Sequence, residues 1–131
     1  MLVSNCLRGT ASEYAAAAAF SNEGWTVFWT PTGSSVCDFI VVRGEMTMKV
    51  QVKSAGWYTK GKSKYLRASL STQNRAYEQG DFDIYAIVDK IDDRIWCIPF
   101  ADAPKTSLMY LEKKVNGVVS GYGWEQWMIQ T

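Results

Sequence analysis

The chain is 131 residues long, 47% hydrophobic and 14% aromatic, which suits one globular domain over residues 1–131 and excludes a disordered segment. It has no histidine and three widely spaced cysteines, Cys6, Cys37 and Cys97, so zinc centres and Ser-His-Asp or Cys-His catalysis are excluded. Net charge is +1, but Met46 to Tyr77 holds seven basic residues and no acid, a surface suited to a polyanion or a solvated basic loop.

Ala-rich "TASEYAAAAAFSNEGW" predicts a helix from Thr10, stopped at Gly24, with Thr10 and Glu13 spaced as a capping box. "WTVFWT" follows as a short strand, then a loop "PTGSS" and a strand "VCDFIVV". "RGE" is a turn and "MTMKVQVKS" the next strand. "GWYTKGKSKY" is a basic loop or ragged hairpin, and "STQNRAYEQG" a short helix ending at Gly80. "FDIYAIVD" and "RIWCIPF" are two strands around "KIDD". The aromatic tail "GYGWEQWMIQT" fits no single element and suits core or a subunit interface. This order predicts an α/β fold, a mixed β-sheet flanked by helices. No apolar run reaches the ~18 residues of a membrane span. "MLVSNCLRG" lacks the form of a leader, so the cytoplasm is the expected location.

The hairpin holds the residues that can do chemistry. Met46, Met48, Val50 and Val52 alternate with Thr47, Lys49, Gln51 and Lys53. A two-residue turn at Arg43-Gly44 pairs Asp38 with Lys49 and puts Gln51 diagonally across. A slip by one residue would set the Asp38 carboxylate among Met48 and Val50, which is costly. The favoured register gathers Asp38, Gln51 and Lys53 on one face. That pattern serves an ordinary solvated sheet face as well as a catalytic one.

A helical Glu13, a strand Asp38 and Gln51-x-Lys53 on the next strand resemble the PD-(D/E)xK nuclease superfamily over roughly Thr10 to Phe100. The Gln in place of the usual acid is similar to the homing endonucleases of this fold, and less closely to archaeal-type Holliday junction resolvases. Cys37 stands where the motif has proline. The resemblance implies a restriction-endonuclease-like sheet and Mg2+-dependent hydrolysis of DNA phosphodiesters, with Mn2+ able to substitute. It implies Asp38, the Gln51 side chain and the Val52 carbonyl as metal ligands. Glu13 would act through water or on a second metal, and Lys53 would activate water or neutralise phosphate. Lys49, Lys60, Lys62, Lys64 and Arg67 would contact phosphates, while Gln73 and Arg75 would read base edges. Trp57, Tyr58 and Tyr65 could stack on bases or pack locally. The resemblance also implies double-stranded or branched DNA as partner, a homodimer or homotetramer, and a bacterial or phage-infected cell. A resolvase or repair nuclease, and an inactive DNA-binding module, are the alternatives.

Overall fold

Alanine is the best helix former, and the run Ala15 to Ala19 sits in the middle of α1 (Asn5–Asn22). The computed structural model describes residues 5–31, 37–71 and 77–129. A C-terminal cap ends α1: the Trp25 amide donates to the Phe20 carbonyl at 3.0 Å and the Gly24 amide to Ser21 at 3.0 Å. Gly24 takes φ +88° there, and Trp25 packs edge-on against Phe20, the apolar contact of a Schellman stop. The helix begins five residues before Thr10, so Thr10 is interior and the expected capping box does not form. Glu13 is thereby available for another role.

The strands are β1 (Thr26–Trp29), β2 (Phe39–Arg43), β3 (Met46–Lys60), β4 (Ser63–Ser69), β5 (Ile84–Asp89), β6 (Arg94–Pro99), β7 (Leu108–Val115), β8 (Val118–Gly121) and β9 (Met128–Ile129). β3 organises them. Its first half pairs with β2 antiparallel on one side and β5 parallel on the other. Its second half pairs only with β4, which leads on to β7 and β8. A first sheet (β1, β2, β3, β5, β6, β9) and a second sheet (β3, β4, β7, β8) therefore share one long strand.

Burial follows the period-2 pattern. Phe39, Val41, Val50 and Val52 face α1 and pack with Ala16, Ala17 and Phe20. The other face of β5 and β6, with Tyr85, Ile87, Trp96 and Ile98, packs on Leu66, Ala68, Met109 and Leu111 of the second sheet. β5 is buried along its whole length, as a run apolar on both faces must be. The mixed sheet matches expectation, whereas flanking by helices does not. Among the described residues α1 is the single α-helix, and the second sheet folds over the face that a second helical layer would cover. Residues 77–80 of the expected second helix are not helical, and 72–76 lie outside the described residues.

One buried charge ties the two sheets. Asp89, with no exposed surface, receives bonds from Arg94 Nε at 3.2 Å and Nη2 at 3.0 Å. Arg94 Nη1 reaches Glu112 on β7 at 2.7 Å, and its guanidinium lies 5.0 Å from the Trp96 ring centre. Removing one partner leaves a buried charge uncompensated. Arg94→Met should cost about 3–5 kcal/mol in urea unfolding. Adding Asp89→Asn should recover part of that loss.

Candidate active site

The hairpin turn is Gly44-Glu45, with Gly44 at φ +61°, and not Arg43-Gly44 as expected. Pairing therefore shifts by two residues: Ile40 faces Lys49 and Phe39 faces Val50. The Asp38 amide donates to the Val50 carbonyl at 2.8 Å, so Asp38 also lies beside Val50, just past the last ladder pair of Phe39 with Val50. A shift of two preserves faces along the paired strands, so Gln51 and Lys53 keep their side; the predicted Asp38–Lys49 pair is lost, and Asp38 instead lies where its charge acts on Lys53.

Asp38 sits just before β2 begins. Thr30 Oγ1 donates to the carbonyls of Cys37 at 2.7 Å and Asp38 at 3.1 Å, which fixes its backbone. With β2 at its end, the Val52 amide has no ladder partner there and donates to Asp38 Oδ2 at 2.7 Å. α1 crosses the same point. Ser12, buried, bonds Ser54 through their hydroxyls at 2.6 Å and pins the helix to β3. One residue on, Glu13 meets Asp38. Burial, then a hydrogen bond to Asp38, then the charge of Asp38 push the Glu13 carboxyl up to about 7. In its neutral form Glu13 is a donor placed against Asp38.

Lys53 is half-buried between the sheets, its Nζ 4.8 Å from the Tyr77 ring centre. Burial lowers its pKa, and the nearby Asp38 charge offsets part of that. Gln51 Nε2 lies 3.4 Å from the Val52 carbonyl, so the amide and that carbonyl occupy one spot beside the carboxyl pair. Two carboxyl groups brought together next to two neutral oxygen donors are a donor set suited to a hard divalent cation. Among the described residues no group of three or more His, Cys, Asp or Glu could hold a metal. The set here reaches a cation only if Gln51 and the Val52 carbonyl take part.

Other expected residues lie elsewhere. Lys49 Nζ donates to the Gly80 carbonyl at 2.6 Å, and the Lys49 amide donates to Asp83 Oδ2 at 2.8 Å, anchoring the 80–83 segment. Lys60, Lys62 and Lys64 cluster at the tip of the β3–β4 hairpin, which is regular and not a loop. Arg67 stacks 3.8 Å over the Tyr58 ring centre. Trp57 packs in the core of the second sheet. Gln73 and Arg75 lie outside the described residues. Sequence reasoning assigned no role to Ser12 or Tyr77. A serine beside a helical acid and a tyrosine after a basic segment offered no spacing to single them out.

Glu13 gives a stability test. Its folded pKa exceeds the unfolded one, so its stabilising contribution is full below about pH 4.5 and is lost as pH rises through about 7. In EDTA, thermal melts should show this loss between pH 5 and 8, and Glu13→Gln should flatten it.

Protein 5.3 of Escherichia phage T7 is 29% identical over 113 residues, covering 86% of this chain and 94% of its own. The bacterial homing endonuclease I-Ssp6803I has a similar fold, with a TM-score of 0.69 at 20% identity over 83% of this chain and 78% of that one. Glu13, Asp38, Gln51 and Lys53 all fall within residues 3–117, which match the family model described as PD-(D/E)XK endonuclease. The chain belongs to the PD-(D/E)XK endonuclease family.

Proposed function

We propose that the protein is a metal-dependent endonuclease that hydrolyses phosphodiester bonds in double-stranded DNA, of the homing type and site-specific. The observation that carries this is the convergence of Glu13 from α1, Asp38 from the start of β2, and Gln51-Val52-Lys53 from β3 at one point. Asp38, the Gln51 amide oxygen and the Val52 carbonyl would hold Mg2+ or Mn2+, with Glu13 ionising on its arrival. Bound there, the ion would supply charge neutralisation at the phosphate and a more acidic water.

The chain's own groups would do the rest. The bond from the Val52 amide to Asp38 Oδ2 fixes the direction in which that carboxylate would face a cation. Lys53, biased by burial toward its neutral form, would take a proton from the attacking water. If it stays charged instead, it would balance the phosphate. The exposed lysines of the hairpin tip, Lys60, Lys62 and Lys64, support sequence-blind affinity for the backbone. Two copies would be needed to cut both strands, so a homodimer or homotetramer is part of the proposal. Among the described residues no helix is long and apolar enough to cross a membrane. A relative encoded by a phage supports action inside an infected bacterial cell.

Digestion of long natural DNA with Mg2+ or Mn2+ tests this. Discrete fragments are expected, and Asp38→Ala or Lys53→Ala should cut at least ~100-fold more slowly while melting normally. Cleavage by Asp38→Ala at the wild-type rate would refute the assignment. Preference for four-way junctions regardless of sequence would point to a resolvase, and binding without cleavage to a DNA-binding module. Gln51→Glu adds a third carboxylate, so calorimetry should show tighter Mg2+ binding.

A further inference from the structure

Four tyrosines share the outer face of the second sheet. Tyr58 on β3 is the cross-strand partner of Tyr65 on β4. Tyr110 on β7 lies edge-on to Tyr65 at 5.7 Å, and Tyr122, just past β8, lies 6.1 Å from Tyr110. Together with Lys60 and Arg67 these rings line one shallow groove. Tyr58, Tyr110 and Tyr122 keep 42%, 37% and 46% of their surface exposed, so the rings do not serve a core. The Trp124 indole donates to the Tyr110 carbonyl at 3.1 Å and so anchors the β7 backbone beneath that ring.

Cations are threaded between the rings. The Arg67 guanidinium lies over Tyr58, and Lys113 Nζ lies 5.6 Å from the Tyr65 ring centre. The strand register puts Lys60, Arg67 and Lys113 on this face and no acid beside them. Glu112, next to Lys113 in the chain, points to the opposite face and binds Arg94. Open aromatic faces alternating with fixed positive charge match one ligand chemistry, a nucleic-acid strand with flat bases and a phosphate at each step. A duplex keeps its base faces closed within the stack, whereas a strand that has left its partner presents them. A four-stranded antiparallel sheet with aromatic side chains on one face can stack about two or three such bases.

Ser54, bonded to Ser12 of α1, lies on the same face of β3 as Tyr58. Tyr58 follows Lys53 by five residues, ~17 Å along the strand, and points to the opposite face, so a strand reaching both would pass over the edge of the sheet. We propose that this face is a subsite for an unpaired stretch of nucleic-acid strand. Bases stack on Tyr65, Tyr110 and Tyr122, and phosphates rest on Lys60, Arg67 and Lys113. The nuclease reading contributes only the kind of polymer expected near the site.

Fluorescence anisotropy with a labelled oligothymidylate of about 15 nucleotides, in EDTA at low salt, tests the subsite. Wild type should bind, and the double variant Tyr110→Ala, Tyr122→Ala should bind about tenfold more weakly or worse with an unchanged melting temperature. Tyr110→Phe keeps the ring and should bind as wild type. Equal binding by the double variant, or a blunt duplex competing as well as the single strand, would overturn the subsite. Duplex cleavage measured in parallel separates the two readings. Cleavage without oligothymidylate binding overturns the subsite and leaves the nuclease standing. Tyrosine-dependent binding without cleavage under any metal does the reverse.

Discussion

The Val52 amide is a backbone donor in a half-buried sheet at the place where its neighbouring strand stops. Such a donor must be satisfied, and the Asp38 carboxylate does this at 2.7 Å. The rest of the site hangs on that bond. It holds Asp38 at the edge of β3, where Glu13 can reach it from α1 and where Gln51 and Lys53 flank it on the same strand. A carboxylate needed to complete a sheet is thereby also brought close to a second carboxyl. The charge conflict this creates is what a cation would relieve.

The two sheets must keep a fixed relation for this to last, because β3 runs through both. Packing supplies most of that rigidity through Leu66, Met109 and Leu111 against Tyr85, Ile87 and Trp96. The Asp89–Arg94–Glu112 link adds direction, since a planar guanidinium accepts partners only in its own plane.

Face alternation made the site legible before the pairing was known. The hairpin turn fell one residue later than its sequence suggested, moving every partner by two, yet Gln51 and Lys53 kept their face because side-chain direction repeats every two residues, and Asp38 still fell close enough for its charge to act on Lys53. The helix start was misread because Thr10-x-x-Glu13 mimics a cap inside a sequence that remains helical before it. β7 and β8 were missed altogether, although Asn116-Gly117, both at positive φ, form the tight turn that this dipeptide favours. The extension of β3 to Lys60 was only half legible: its lysines and glycines read as a loop or a ragged hairpin, and pairing with β4 makes it the hairpin. Glu13's contact with Asp38 is long-range and depended on where α1 lands, which no local pattern encodes.

Beyond Ser54, β3 has β4 on one side and, among the described residues, no strand on the other. Its backbone donors and acceptors on that second side, from Ala55 to Lys60, are thus open to pairing with another chain, a route to aggregation for any unprotected sheet margin. Lys60, Lys62 and Lys64 stand at the end of that margin. Two molecules approaching margin to margin would bring like charges together. The lysines proposed to hold a phosphate backbone would therefore also oppose such pairing, and replacing them with neutral residues would remove that charge barrier along with the proposed affinity.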